Sequence, residues 1–379
     1  MELNRPEPDL RDVAPQSGSG ESQVGRLLRV VSEQEQPSLT IRPYGGSDYS
    51  LLAVWMEDLA HFYDGHSEDN KLLDQLVGRE TGDRTGFFTK NKLMFMCDVN
   101  GVPAGMICIN NKRGGASKIG PVIVNPDMRG KGVGKKLMET AEDYARRAGA
   151  RKLYATTSHL NTPMNAIFTK HGFETEARFP DQYKKGSEEL VWGLHLVPID
   201  GQNNVNIVSV RLQNGSVGGG ELRVGLFDSD NAGHQSFVSS VVELYRQWHG
   251  DLGEDFTEGM IAGHDRAVNG ALSFQDKSKY VMVAQNGHGY EGMLTFTPKR
   301  GGPIKVYPVA GTYEAQIALL TAAEKLARGR GLHKLYTFAH IQDVGQRDLL
   351  RGFGFAERGV LQSPYKIGHD LVALDKFVK

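Results

Sequence analysis

The chain has 379 residues, of which 39% are hydrophobic and 23% are charged. This length and composition suit two globular domains with buried cores and exclude a largely disordered chain. Lys and Arg total 44 against 45 Asp and Glu, which gives a formal net charge of -1. No overall field therefore draws the protein to nucleic acid or to an anionic membrane, and any bound anion must be held by a local site.

Cysteine content and hydropathy narrow the class further. Cys97 and Cys108 are the only cysteines, too few for a disulfide scaffold or a cysteine-based zinc site. The first residues carry no basic segment followed by an apolar one, and the most apolar stretches fall short of the roughly 20 residues of a membrane-spanning helix. We therefore expect a cytoplasmic monomer or homodimer with no metal, no nucleic-acid partner and no membrane partner.

Two shifts in composition divide the chain. Residues 1–38 combine prolines, serines and glycines with many charges, which predicts a disordered or weakly ordered arm. Residues 199–221 include Gly218-Gly219-Gly220 and several asparagines, which predicts a linker. Two ordered blocks remain, 39–198 and 222–379.

An internal repeat relates the two blocks. Three separated segments recur at an offset of 182 residues: Ala141–Tyr154 on Ala323–Tyr336, Gly172-Phe173 on Gly354-Phe355, and Tyr183-Lys184 on Tyr365-Lys366. Agreement in three places at one offset predicts a duplicated domain. The two blocks are therefore expected to share one fold.

In the first block, apolar spacing predicts the order helix, three-strand meander, helix, strand, helix and two strands. Leu51, Trp55, Leu59 and Phe62 indicate the first helix. The remaining predicted elements are strands 93–99, 104–110 and 118–124, a helix from Val133 to a stop at Gly149, a strand 152–157, a helix 161–171, and strands near 173–178 and 189–196. This order predicts a mixed α/β architecture.

A glycine-rich loop precedes the long helix and reads Arg129-Gly130-Lys131-Gly132-Val133-Gly134-Lys135-Lys136. Glycines at a helix start let the backbone fold tightly and present several N–H groups, and the helix dipole adds partial positive charge. With four cationic side chains around it, the loop predicts a site for a pyrophosphate. It lacks the Gly-Lys-Ser/Thr of a Walker loop, and no acidic residue follows about 20 residues later to hold a ribose.

The loop resembles motif A of the GNAT acetyltransferase superfamily, Gln/Arg-x-x-Gly-x-Gly/Ala, which is Arg129-x-x-Gly132-x-Gly134 here. A second family segment, from an asparagine to a tyrosine and then Gly-Phe, corresponds to Asn161 through Gly172-Phe173. The resemblance covers nearly all of the first block. It implies two GNAT-like domains, each a mixed, mostly antiparallel twisted sheet flanked by helices, with acetyl-coenzyme A (acetyl-CoA) in a gap where the fourth and fifth strands splay apart.

The resemblance also implies roles for individual residues. The pyrophosphate would be held by Arg129 and the backbone of Gly130, Lys131, Gly132, Val133, Gly134 and Lys135. The strand of Val122 and Val124 would pair with the pantetheine arm, and Asn161 would contact that arm or a water, or would simply cap a helix. The implied activity is transfer of an acetyl group to a small primary amine by direct attack on the thioester. A non-catalytic acyl-CoA-binding sensor or partner-binding module is the alternative.

The chain departs from the family pattern at the proton-transfer positions. Phe168, expected beside the cofactor, stands where the family commonly has the tyrosine that protonates the departing thiolate. Tyr183, His171 and Ser158 are possible substitutes, of which Tyr183 is favoured. Strand 118–122 lacks the glutamate that many relatives use as a base, which leaves Glu57, Asp58, His61, Asp64 and His66, with His61 and Glu57 preferred.

The second block keeps the helix but not the motif. At the same offset the motif falls on residues 311–316, where the arginine and both key glycines are missing and Glu314 adds negative charge. Asp343 and Leu350 replace Asn161 and Phe168. Ile317, Leu320, Ala323 and Ala327 keep an apolar stripe, so we expect a degenerate copy that does not bind coenzyme A in the usual way.

Overall fold

The computed structural model describes residues 37–60, 89–112, 114–198, 221–249, 255–270, 272, 278–299 and 301–378. Residues 1–36 of the predicted arm and 199–220 of the predicted linker lie outside the described residues. We call residues 39–198 the first half of the chain and residues 222–379 the second half.

The first half follows the predicted order of elements, with an additional strand at its start. Its elements are β1 (Leu39–Pro43), α1 (Tyr49–Ala60), β2 (Thr89–Val99), β3 (Val102–Lys112), β4 (Ala116–Val124), α2 (Val133–Arg147), β5 (Lys152–Ser158), α3 (Thr162–Lys170), β6 (Glu174–Pro180) and β7 (Glu188–His195). The meander strands are longer than their apolar runs predict because hydrogen-bonded pairing extends into the polar ends of β2 and β3.

The second half repeats this order after an edge strand and two helices. Its elements are β8 (Arg223–Leu226), α4 (Ala232–His249), α5 (Asp255–Asn269), β9 (Tyr280–Asn286), β10 (Gly289–Pro298), β11 (Pro303–Gly311), α6 (Tyr313–Gly329), β12 (Lys334–His340), α7 (Val344–Gly352), β13 (Ala356–Leu361) and β14 (Leu371–Phe377). None of the helices in the described part of the chain is long and apolar enough to cross a membrane.

The described strands form one sheet of 14 strands in the order β1-β2-β3-β4-β5-β7-β6-β13-β14-β12-β11-β10-β9-β8. The predicted mixed sheets of the two halves are thus joined edge to edge, through the antiparallel pair of Ala177 in β6 with Gly359 in β13. Within each half the strand order is the same, and one pair is parallel: β4 with β5 and β11 with β12.

Each parallel pair is short and leaves a gap beyond it. Residues 116–118 of β4 pair with residues 152–154 of β5, after which β4 pairs only with β3 and β5 only with β7. Residues 303–305 of β11 pair with residues 334–336 of β12 in the same way. Each half therefore contains a gap that opens toward the carboxyl ends of its two parallel strands.

Helices cover both faces of the first half of the sheet. On one face, α2 buries Val133, Leu137, Ala141 and Ala145 against the strands. On the other, Leu52 and Trp55 of α1 pack against Met96 and Met106. Adjacent strand residues point to opposite faces, so Met106 faces α1 while Ile107 belongs to the core beneath α2.

Two buried lysines cross the junction between the halves in a reciprocal arrangement. Lys152 Nζ donates to Gln362 O of the second half at 2.6 Å and lies 2.5 Å from Glu176 Oε1. Lys334 Nζ donates to Pro180 O of the first half at 2.6 Å, and its carboxylate partner is Asp375 at 2.6 Å. Each half thus hydrogen-bonds a backbone carbonyl of the other.

Candidate functional site

The glycine-rich loop leaves the amino end of α2 open. Asn125 caps a short 3-10 helix at residues 126–128, and its side chain accepts a hydrogen bond from Asp127 N at 3.1 Å. Gly130 and Gly132 then have φ values of 79° and 85°, in the left-handed region that favours glycine. Gly132 is the N-cap residue of α2 and provides no side-chain cap, so N–H donors of the first turn are available to an anion.

Gly134 is required for space rather than for its backbone angles. A Cβ atom at this position would lie 3.0 Å from Ile167 Cδ1 of α3 and 3.8 Å from Val124 Cγ2 at the end of β4. The absence of a side chain therefore lets the first turn of α2 approach both elements beside the gap. A long side chain at this position would project into the gap.

The side chains around the loop are cationic and accessible. Arg129, Lys131 and Lys135 are exposed and Lys136 is half-buried. Lys135 Nζ lies 3.6 Å from Glu139 in the next turn, an exposed pair whose strength is modest. The cations, the open helix end and the two left-handed glycines together form an arrangement that can bind a pyrophosphate.

The two predicted contacts near α3 occupy different surroundings. Asn161 Oδ1 accepts a hydrogen bond from Met164 N at 3.3 Å, so its side chain caps α3. Phe168 is only 1% exposed, with its ring 4.9 Å from that of Phe173 and 5.7 Å from that of Trp192. The phenyl ring therefore belongs to the hydrophobic core of the first half. Val122 and Val124 are half-buried on β4, beyond its last pair with β5.

The predicted proton-transfer residues lie apart or outside the description. Tyr183 lies in the loop between β6 and β7, against the second half: a Cβ atom on Gly301 would be 2.6 Å from its Cα. Glu57 belongs to α1, but its side chain is outside the described residues, as is all of His61. His171 Nδ1 lies 2.6 Å from Glu142 Oε1, and Ser158 Oγ lies 2.7 Å from Ser187 Oγ.

Glu189 on β7 is a residue that the sequence reasoning missed. It pairs with Ser158 at the end of β5 that borders the gap, and it is 8% exposed. Its neighbours Leu190 and Trp192 belong to the core beneath α2 and α3, and by strand alternation Glu189 faces the opposite side, where α1 packs. Burial raises the pKa of Glu189 to about 7, although a hydrogen bond with Thr156 and the charge of Lys118 oppose the shift.

This carboxyl group can exchange a proton near neutral pH, which is the property of a general base. The signal for it in the sequence was weak. Glu188-Glu189-Leu190-Val191-Trp192 alternates as a strand should, but only the pairing of β7 with β5 identifies which of the two glutamates is buried beside the gap.

The second half has no counterpart of the loop. Residues 125–132 separate β4 from α2, whereas Thr312 alone separates β11 from α6. The Thr312 side chain accepts a hydrogen bond from Ala315 N at 3.3 Å and caps the helix. Gly114-Gly115 before β4 corresponds to Gly301-Gly302 before β11, an offset of 187 residues, so the offset of 182 does not extend through this region. The open amino end of α2 is therefore absent from α6.

Comparisons with known proteins agree with the geometry of the first half. The sequence model of the acetyltransferase (GNAT) family matches residues 53–173. An uncharacterized N-acetyltransferase of Methanocaldococcus jannaschii is 30% identical over 86 residues, which cover 21% of this chain and 38% of that protein. This chain thus spans about 38% of the length of the curated relative that it matches.

Among solved structures, a Salmonella typhimurium protein with its cofactor acetyl-CoA is 21% identical, with a TM-score of 0.36 over 42% of this chain and 95% of that chain. The ribosomal-protein-S18-alanine N-acetyltransferase of Escherichia coli is 16% identical, with a TM-score of 0.35 over 44% of this chain and 98% of that chain.

The family match and the loop together define the class of this region. Residues 53–173 are a GNAT acetyltransferase domain, and the open end of α2 lies within it. Among the described residues, no group of three or more His, Cys, Asp and Glu side chains is arranged to hold a metal ion.

Proposed function

We propose that the first half is an acetyl-CoA-dependent N-acetyltransferase that acts on a small primary amine. The observation that carries this proposal is the open amino end of α2, with glycines at 130, 132 and 134, beside the gap between β4 and β5. The family match over residues 53–173 supports the same reaction class.

The residues of the loop fit the cofactor. The backbone of residues 130–135 and the guanidinium of Arg129 would hold the pyrophosphate, and the strand of Val122 and Val124 would run beside the pantetheine arm. Bound in this way, acetyl-CoA supplies the thioester that the amine attacks. Asn161 supports the site by holding α3 at the edge of the gap.

Glu189 is the base that we assign to the reaction. A primary amine is mostly protonated near neutral pH and must lose a proton before it can attack. A carboxyl group with a pKa of about 7 accepts that proton directly or through one water. Glu57 and His61 are alternative bases, and Tyr183 is the proposed acid for the departing thiolate, which leaves fairly well without one.

For the second half we propose a degenerate GNAT-like domain at residues 222–379, joined to the domain at 39–198 by a linker at 199–221. The common strand order supports this proposal. The capped amino end of α6 is the reason that we assign no acetyl-CoA site to it.

Calorimetric titration of the full chain with acetyl-CoA tests the proposal. We expect one site per chain because only one open helix end accompanies a gap between parallel strands. Two sites would contradict the assignment of the second half, and an absence of binding would overturn the proposed function. Release of free thiol across a panel of primary amines then measures turnover.

A non-catalytic acyl-CoA-binding module is the competing function. The observation that favours it is the burial of Phe168 in the core, where the family commonly has a proton donor. Thiol release well above buffer hydrolysis with any amine of the panel would exclude this alternative. Binding with stoichiometry of one and no release across the whole panel would establish it.

A further inference from the structure

A cavity of about 60 Å³ lies in the second half, at the gap between β11 and β12. It is bordered by those strands and by the amino ends of α6 and α7, and its mouth lies near the exposed Tyr313. The side chains that the argument uses are Tyr245, Tyr307, Gln316, Phe338 and Asp343. The cavity has room for the few non-hydrogen atoms of a small organic group.

Gln316 gives the cavity an unused hydrogen-bond acceptor. The side chain is 95% buried, since the residue is 5% exposed. Its Nε2 donates to Gly311 O at 2.9 Å, which fixes the orientation of the amide. Its Oε1 is buried and has no hydrogen-bond partner within the described part of the chain. An unsatisfied buried acceptor costs about 1–3 kcal/mol, so a ligand with an N–H or O–H group would gain by pairing with it.

The walls of the cavity are aromatic. The rings of Tyr245 and Tyr307 lie 5.8 Å apart, and those of Tyr307 and Phe338 lie 5.9 Å apart. The Tyr245 hydroxyl is already used, because it donates to Val309 O at 3.2 Å. These surfaces favour a flat or apolar portion next to the hydrogen-bond donor of a ligand.

Nearby charges of both signs disfavour a charged ligand. Asp343 is a buried carboxylate on the cavity wall and caps α7 by accepting from Gln346 N at 3.0 Å, so an anion would be repelled. Lys305 Nζ lies 4.8 Å from the ring centroids of both Tyr307 and Phe338, so a cation would meet a like charge behind the same rings. A neutral donor remains.

We propose that this cavity binds a small secondary amide, with the amide N–H donating to Gln316 Oε1 and the acyl group against the aromatic walls. The N-acetylated amine that the proposed reaction forms carries this group, and in that respect the inference rests on the proposed function. The pantetheine arm contains the same chemical group. The second half would then respond to an acylated molecule without the loop that binds pyrophosphate.

Two matched probes test the donor directly. N-Methylacetamide has the N–H group, whereas N,N-dimethylacetamide lacks it and is otherwise similar. We would titrate each into the isotope-labelled full chain without acetyl-CoA and follow resonances of residues 307–316 and 338–349. N-Methylacetamide is expected to bind at least about tenfold more tightly, the factor that corresponds to about 1.4 kcal/mol for one hydrogen bond. Equal binding of the two probes would overturn the proposal.

A substitution then assigns the selectivity to one atom. Gln316→Met removes the acceptor while keeping an unbranched side chain and should bring the ratio of the two affinities close to one. Gln342→Met, at an exposed position outside the cavity, should leave the ratio unchanged. An unchanged ratio in Gln316→Met would contradict the assignment. The comparison of probes on the unmodified chain holds even if Gln316→Met fails to fold.

Two further ligands separate the sources of the amide. An N-acetylated primary amine and pantetheine are each competed against N-methylacetamide, and the one that displaces it more strongly identifies the source. The same titration with Gly134→Glu separates this proposal from the proposed function. Retained amide binding in that variant is expected because its substitution lies in the first half, and loss of amide binding would contradict a separate site.

Discussion

The two halves of the molecule share their strand order and the gap between their parallel strands, yet they differ at the end of one helix. In the first half, residues 125–132 leave the start of α2 uncapped beside Gly134. In the second, Thr312 caps α6 and the Gln316 side chain hydrogen-bonds Gly311 O. A fold can therefore persist while one short segment decides whether a binding site for an anion exists.

The junction shows the opposite relation, in which a site persists while its residues change. Lys152 pairs with Glu176 on β6, and Gly193 on β7 leaves room for that carboxylate. At the equivalent positions, offset by 182 residues, the second half has Arg358 and Asp375, and Asp375 pairs with Lys334. The carboxylate has moved to the neighbouring strand, but each buried lysine keeps a counter-ion.

The largest expected effect comes from making the first half resemble the second at the open helix end. Gly134→Glu would place a long anionic side chain in the gap, because even a Cβ atom there meets Ile167 at 3.0 Å. We expect acetyl-CoA binding to weaken at least about 100-fold, equivalent to about 2.7 kcal/mol, with loss of turnover. Calorimetry measures the first and thiol release the second.

Gln316→Met is the matched control in the other half. It should leave both acetyl-CoA binding and turnover at their original values because α6 has no pyrophosphate loop. Full activity in Gly134→Glu would disprove the assignment of the site to the first half.

The next effect concerns Glu189. Glu189→Gln should lower kcat/KM by about 100-fold or more at pH 8, the usual contribution of a general base. In the unmodified chain kcat/KM should rise with pH through about 7 as the buried carboxyl loses its proton. The glutamine variant should lack that rise, which a merely structural role would leave in place.

Stability provides an independent check with a defined sign. The native pKa of Glu189 lies above its value of 4.5 in an ordinary carboxyl, so the native state binds the proton more tightly than the unfolded state. The free energy of unfolding should therefore fall as pH rises from about 4.5 to about 7. The pH dependence of thermal unfolding should be smaller in Glu189→Gln.

A smaller effect is expected when the charges of the junction are exchanged. Glu176→Arg alone leaves Lys152 buried beside a second cation and should lower the free energy of unfolding by about 3–5 kcal/mol. Glu176→Arg combined with Gly193→Asp recreates the arrangement of Arg358, Asp375 and Lys334. Denaturant unfolding of the single and double variants should show recovery of most of the loss. A double variant less stable than the single one would refute the equivalence of the two junction sites.

The smallest effect should come from a turn. Gly301 and Gly331 both have positive φ values, of 77° and 66°. An added Cβ on Gly301 meets the Tyr183 backbone at 2.6 Å, while no atom lies within 4 Å of one on Gly331. Both alanine variants lose about 1–2 kcal/mol to the left-handed backbone, and Gly301→Ala should lose more in thermal unfolding. Equal losses would mean that the contact with Tyr183 contributes nothing.

The sequence predicted features that depend on neighbouring residues. The apolar stripe from Val133 to Ala145 correctly predicts α2, and the repeat correctly indicates a common order of elements in the two halves. Glu189 could not be identified because its burial depends on a pairing between residues 158 and 189, about thirty positions apart. The missing loop was hidden by one constant offset, although comparison of Gly114-Gly115 with Gly301-Gly302 would have revealed it.

The reciprocal lysine contacts have a consequence for how the chain could be divided. An isolated half would lose the carbonyl partner of its own buried lysine and would expose a backbone carbonyl that normally receives one, so each half alone should be a poor folder. Because the contacts run in both directions, two separately expressed fragments, 37–198 and 221–379, should complement each other. Recovery of acetyl-CoA binding on mixing would make this protein a source of split reporters that signal only when both fragments meet.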